Sequence, residues 1–470
     1  MGNAPHADWC GAQVHLLLLP QGAGVSEVTE GTHTSVTAAD IDRPLGPTEN
    51  IYFLLDKLYR LNFVVFAEID GAFDAARLGD ALRLVQSQHP LLRARVTLAS
   101  GRNWFKPIEA DAHPIPVERG SLRNWRGQLS AQLDEPFETG GPLARFVWFG
   151  GRGRKSVAAM VFHHVIGDGR SGADVFIEVL RRAALEKLPL CYRPARASAQ
   201  DLDLIKEQGP IGASIKTIAY WLNQGRSALK FAQQLPGFHS DTQEQRSIAV
   251  IPFALSKAVT AALREASRAH GGTVQGALGA AQLLAINSEF PTAQARHLAL
   301  TSLADLRGVL RGGLTSQDLG LYIATVCTVH AVAAEPDFWA LVADVTHQLR
   351  SVLGSGDANL VHSIYREGIV YPPNAVGARM VQSLVAMAPP SSMLTNVGSY
   401  DAVTLANGAK LRSLEFLVSP PAQHPICVTA ATFDGAMRFN LLFDECKVDH
   451  AQALRIAEAM VTAIEAAAAV

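Results

Sequence analysis

Apolar residues recur along this chain in two rhythms, and the switches between them mark its elements. Residues 1–40 show neither rhythm and read as a flexible leader, with order beginning near DRPLGPTENIYFLLDKL. NFVVFAEID is an almost unbroken apolar run of strand length. The stretch after it carries Leu78, Leu82 and Val85 at helical spacing, with Asp74 placed to cap that helix. HPLLRARV then predicts a turn and another strand. PLARFVWF and KSVAAMVFHHV, separated by GGRGR, predict an antiparallel hairpin, and ADVFIEVLRRAALEK predicts a helix.

Residues 186–245 break the pattern with frequent Pro, Gln and Ser, and predict a crossover linker with helices. IKTIAYWLNQGRSALKFA, inside it, reads as an amphipathic helix packed across two lobes, with a membrane-surface helix as the alternative. The second half then repeats the opening grammar. RSIAVIPF predicts a strand, SKAVTAALREASRAH a helix closed by Gly271 and Gly272, and TVQGALGAAQLLAINSEF a further helix. ICVTAATFDGAMRFNLLFD predicts a hairpin on Asp434-Gly435, and HAQALRIAEAMVTAIEAAAAV a closing helix. Strand–helix units in both halves predict an α/β protein (an α+β sandwich) with an N-terminal lobe over 41–185 and a C-terminal lobe over 246–470.

Composition narrows the function classes. Of 470 residues, 48% are hydrophobic and 18% charged, which suits a soluble globular chain with room for two cores. A formal net charge of −2 gives no footprint for nucleic acid and none of the acidity of a solvating disordered chain. Cys10, Cys191, Cys327, Cys427 and Cys446 form no CxxC pair, so a disulfide framework and a cysteine-based zinc site are disfavoured and a cytoplasmic location fits best. VHLLLLP is too short to span a membrane, no Lys or Arg precedes it as in a signal peptide, and MGNAPH lacks the hydroxyl residue of a myristoylation motif. The expectation is a cytoplasmic monomer without nucleic-acid partners or stable membrane insertion.

The chemistry concentrates in FHHVIGDGRSG, residues 162–172. GDGRSG satisfies the G-x-G-x-x-G pattern of a dinucleotide loop, with a strand before it and a helix after. That strand, however, is the second arm of a predicted hairpin rather than part of a parallel unit. No second strand ending in Asp or Glu follows at the expected spacing, where LPLCYRPARAS stands instead. His163, His164 and Asp168 could be zinc ligands, yet neighbouring strand residues point to opposite faces and cannot easily converge on one ion. The same alternation supports a third reading, in which one histidine faces a core and the other a cleft. A neutral imidazole there is a general base, given an ordinary pKa of about 6.5.

HHVIGDG is HHxxxDG, and on it the chain resembles the chloramphenicol-acetyltransferase-like superfamily. HHVIGDGRSGADVFIEVLRRA looks most like polyketide-associated acyltransferases of the phthiocerol dimycocerosyl transferase type, and is also similar to nonribosomal-peptide condensation domains. HPLLRAR, SLADLRGVL, LGLYIA and TNVG, at 395–398, agree with it, so the likeness runs from about residue 42 to the C-terminus. The DFGWG segment of the plant members is absent.

That resemblance implies two α/β lobes with a tunnel at their interface, and an acyl thioester on carrier-protein phosphopantetheine or coenzyme A as co-substrate, with no tightly bound cofactor and no metal. It implies His164 as the general base for an acceptor hydroxyl, acting by direct attack, with ester formation in polyketide or related secondary metabolism as the expected function. An amide-forming, free-standing condensation enzyme and an inactive acyl-carrier-binding scaffold are the alternatives. His163, Asp168 and Gly169 would support the motif, Asp168 through an arginine for which Arg307 is the candidate, and Gly169 through a turn that a side chain would obstruct. Asn396, then Thr395, are the candidates for binding the oxyanion. The expected partners are an acyl carrier protein acting in trans and a small-molecule alcohol or amine. Arg181, Arg182, Lys187, Arg193 and Arg196 read either as a contact for such a carrier or as a solvated helix end.

Overall fold

A computed structural model describes residues 41–150, 154–202, 246–290, 294–355, 371–385, 391–421 and 424–469. The leader, the segment IKTIAYWLNQGRSALKFA and the tip of the GGRGR turn lie outside the described residues. The first half contains β1 (Arg43–Pro44), α1 (Pro47–Asp56), β2 (Asn62–Asp70), α2 (Leu78–Gln88), β3 (Ala94–Ala99) and β4 (Arg102–Pro107). It continues with β5 (Val117–Gly120), α3 (Trp125–Ala131), β6 (Ala144–Gly150), β7 (Lys155–His163) and α4 (Gly169–Ala183). The second half supplies β8 (Ile248–Ala254), α5 (Lys257–Ala269), α6 (Val274–Ser288), β9 (Arg296–Asp305), β10 (Ile323–Val332) and α7 (Phe338–Ser355). After these come α8 (Ala375–Val385), β11 (Ser391–Tyr400), β12 (Lys410–Leu411), β13 (Glu415–Val418), β14 (Ile426–Phe433), β15 (Ala436–Asp444) and α9 (His450–Ala468).

β2 and β7 read as apolar runs because they are the inner strands of one sheet. β7 pairs antiparallel with β2 on one side and with β6 on the other, and β5 closes the edge beyond β6. Phe63, Phe66, Phe146, Phe149, Phe162 and Phe176 are fully buried there, under α2 and α4. The antiparallel neighbours on both sides of β7 remove the parallel unit that a dinucleotide fingerprint requires. In the second half, six strands run in the order β10-β9-β11-β14-β15-β8, and α6 and α9 pack on one another over buried Leu278, Leu283, Met460 and Ile464. A small third sheet joins β1, β4 and β3.

Local signals set the boundaries. Ser256, Thr273 and Asp449 each accept a backbone N–H at the start of α5, α6 and α9. At the β14–β15 turn Asp434 and Gly435 both have positive φ (49° and 78°), the geometry of a two-residue type I′ hairpin. Asp74 caps a single 3₁₀ turn over Ala75–Arg77, and α2 begins after it.

The chain order and the sheets do not coincide. β12 and β13 follow the second lobe's β11 in sequence, yet both pair antiparallel with β2, so they extend the first lobe's sheet. A boundary at residue 246 therefore assigns to the second lobe two strands that hydrogen bonding gives to the first. Residues 186–202 run the other way, with the Tyr322 hydroxyl donating to Ala197 O (3.1 Å) and the Arg311 amide to Leu202 O (2.9 Å). No described helix is long and apolar enough to cross a membrane.

Candidate active site

β7 ends at His163, and its last pairings hold the next residue in place: the His163 amide donates to Leu143 O and the His164 amide to Leu61 O. The alternation of a strand then sends the two imidazoles apart. His163 turns into the first lobe. Its Nδ1 accepts from the Val165 amide (3.1 Å), its Nε2 lies 3.5 Å from Asp56 Oδ2, and its ring stacks near Phe53. His164 turns toward a cleft.

The hydrogen bonding of His164 assigns its tautomer. Nδ1 is 2.8 Å from Gly167 O, and a carbonyl only accepts, so Nδ1 carries the proton. Nε2 is then left with its lone pair, and it makes no hydrogen bond among the described residues. Tyr52 meets the ring edge-on at 5.1 Å between centroids, and Phe63 is tilted against it at 4.9 Å. Burial lowers the imidazole to about 4, although the Asp168 charge pulls the other way. At neutral pH the ring is uncharged.

Asp168 is fully enclosed and serves two structural ends. Its Oδ1 accepts from the Ser171 amide (3.0 Å), and Ser171 reciprocates toward the Asp168 backbone, so the pair forms a capping box at the start of α4. Gly169, the last residue of the motif, thus already lies in the helix, which the apolar periodicity placed four residues later, at Ala173. The D-x-x-S spacing is the signal for this. Arg307 of the second lobe grips the same carboxylate, with Nη1 2.9 Å from Oδ2 and Nη2 3.2 Å from Oδ1, while the Tyr322 amide donates to Oδ2. Burial pushes the carboxyl up, but Arg307 and the two amides outweigh it and hold Asp168 below its ordinary value. A carboxylate held by Arg307, Ser171 and the Tyr322 amide has no proton to relay.

The cleft is small, about 70 Å³, and partly open to solvent, and both lobes line it. Phe63, His164, Gly169 and Arg170 face it from the first half. Thr395, Asn396 and Val397 of β11 do so from the second, together with residues of β9, β10 and β13. The parallel pairing of β11 with β14 breaks between Asn396 and Ser399, and in that bulge Asn396 Oδ1 accepts from the Gly398 amide (2.9 Å). The carboxamide oxygen is spent there, which leaves its NH₂ as the available donor. The structure therefore brings His164, Thr395 and Asn396 to one cavity, with Asp168 and Arg307 behind the motif.

Gly169 requires a different explanation from the turn predicted for it. Its φ is not in the left-handed region; instead a Cβ would sit 2.7 Å from Val397 Cγ1, so the helix start approaches β11 too closely for a side chain. The basic run is also used internally. Arg182 pairs with Glu178 (2.8 Å), Arg196 with Asp318 (2.8 Å) and Arg181 with Glu186 (3.5 Å), and Arg193 donates to Gln317. Tyr52, Phe63 and Arg170 had no signal as site residues, because their partners are remote in sequence.

The family model described as Condensation domain matches residues 54–367, more than half of the chain. The chain belongs to the condensation-domain family. Its fold is shared with solved structures at low sequence identity. Polyketide synthase associated protein 5 from Mycobacterium tuberculosis is 16% identical with a TM-score of 0.63, over 90% of this chain and 97% of that one. The first condensation domain of the calcium-dependent antibiotic synthetase, in complex with a substrate analogue, is 15% identical with a TM-score of 0.69 over 92% and 97%. A trichothecene 15-O-acetyltransferase from Fusarium sporotrichioides is 13% identical with a TM-score of 0.68 over 90% and 94%. No curated protein matches the chain by sequence. For this condensation-family chain the mixed α/β architecture anticipated from HHxxxDG is the one observed.

Proposed function

We propose that this protein transfers an acyl group from a carrier-protein or coenzyme A thioester to an alcohol, with His164 as general base. One observation carries the reading: an uncharged imidazole whose proton sits on Nδ1, so that Nε2 keeps its lone pair, lines one cleft together with Asn396 and Thr395. The acceptor O–H gives its proton to Nε2 as its oxygen attacks the thioester carbonyl carbon. The C=O electrons move to oxygen, and the oxyanion takes hydrogen bonds from Asn396 and, second, Thr395. Collapse breaks the C–S bond, and the proton on Nε2 goes to the departing sulfur. No acyl-enzyme is needed, and Asp168 with Arg307 holds the loop while His163 anchors its other end.

The charge state of the acceptor favours an alcohol. An α-amine with a pKa near 8 is mostly ammonium at pH 7 and would have to lose that proton before attack, whereas an alcohol arrives neutral. The second reading, amide formation, is favoured by the family match itself. Matched alcohol and amine versions of one acceptor, offered with the same acyl thioester, separate the two by product mass and acceptor-dependent thiol release. Ester is expected as the main product. His164→Ala should lower turnover about 10²–10⁴-fold, the range of positioned general-base catalysis. Full turnover by that variant rejects the mechanism, and preferred amide formation moves the function to the second reading.

A further inference from the structure

Arg170, six residues beyond His164, reaches out of the first turn of α4 to the other side of the cleft. Its Nη1 donates to Val397 O at 2.8 Å, and its guanidinium lies 4.9 Å over the Tyr400 ring. Both targets are on β11. Among the described residues Arg170 makes no ion pair, unlike Arg307, Arg182 and Arg196. The accepting carbonyl sits inside the bulge, between Asn396 and Ser399, where the β11–β14 ladder has no register pair. Gly398, at φ +89°, turns the chain there, and a Cβ on it would come within 3.0 Å of Arg170 Nη1. The arginine, the glycine turn and the carbonyl therefore fit as one unit. The same turn aims the Gly398 amide at Asn396 Oδ1 and so frees the Asn396 NH₂.

We propose that Arg170 is the positioning residue of this site: it fixes the β11 bulge and so presents the Asn396 amide to the reaction that His164 starts. This rests on the acyl-transfer reading above. β7 and β11 belong to different sheets, so no strand ladder sets the distance from base to amide donor. Arg170 sets it, from a helix whose start is held by Asp168 and Arg307. It acts through Asn396 and not on the reacting atoms.

The test is a double-mutant cycle on kcat and KM with the full chain, using Arg170→Ala, Asn396→Ala and both together. Asn396→Ala is expected to lower kcat about 10²–10³-fold, as for loss of an oxyanion donor, and Arg170→Ala about 10–10²-fold, each with KM near wild type. The double variant should fall within about threefold of Asn396→Ala alone, because coupled residues do not add. Arg170→Lys, which keeps a donor on a long stem, should recover part of the loss and covers the case in which the alanine variant folds poorly. A kcat within twofold of wild type, losses that multiply, or a change confined to KM would each overturn the proposal. If the wild type transfers no acyl group, the reading in the previous subsection fails, and a crystal structure of Arg170→Ala decides this one separately. Loss of the Asn396 Oδ1 to Gly398 bond supports it, and an unchanged bulge rejects it.

Discussion

With Tyr52 at its edge and Phe63 against its face, His164 has little water around it. That sets the form in which the base rests. With its pKa lowered to about 4, the imidazole is neutral over nearly the whole working range, so kcat/KM should stay flat down to about pH 5 and fall with an acid limb near 4. An unperturbed histidine would place that limb near 6.5. A pH–rate profile with an acid limb above 6 would show that burial does not govern this base. The same shift affects stability. Between 6.5 and 4 the unfolded chain binds more protons at this position than the folded one, so the His164 contribution is present above 6.5 and is lost as pH falls through 4. The weak base is compensated by placement: Nδ1 is fixed on Gly167 O, and the ring lines the cleft.

At the scale of elements, the seam between β13 and β15 has its own cost. Glu415 of β13 is buried and accepts from Asn440 Nδ2 of β15 at 3.2 Å, while Arg438 is 3.9 Å away. Burial raises its carboxyl above the ordinary value despite the nearby arginines. A raised pKa means that the folded state favours the protonated acid, so this stabilisation is present below 4.5 and is lost as pH rises through the folded value. Glu415→Gln keeps the shape and an acceptor for Asn440 but carries no charge to desolvate. It should therefore raise the denaturant midpoint at pH 7, with the gain shrinking as pH falls toward 4. A lower midpoint at pH 7 would mean that the arginines return more than burial takes.

For the whole molecule, the exchange of strands binds the two halves together. β13 covers β2 over Phe63 to Phe66, and residues 186–202 lie along the second half. A fragment covering 41–185 would expose the β2 edge, and one covering 246–470 would carry β13 with nothing to pair. Neither is expected to fold when expressed alone, and circular dichroism with a single cooperative melt for the intact chain would check this. Two independently folded fragments would refute it. The cleft depends on the same exchange, since Phe416 and Val418 of β13 line it beside Phe63 of β2.

Periodicity and turn chemistry carried most of the elements by themselves. Leu78, Leu82 and Val85 mark α2, and Asp434-Gly435 marks the last hairpin, because such signals depend on neighbours within a few residues. HHxxxDG likewise gave the candidate base from seven contiguous positions, and its order with HPLLRAR, SLADLRGVL and TNVG gave the superfamily. Apart from the Asp168–Arg307 pair and the Asn396 candidate, which the family resemblance supplied, contacts between remote segments were not legible in the sequence. The drop in the His164 pKa needs Tyr52 and Phe63 folded against it. The role of Gly169 needs Val397 packed where a Cβ would stand, and β13 finds β2 across some 350 residues of intervening chain. Those contacts exist only once the two lobes have closed on each other, since packing, and not local propensity, chooses partners that distant.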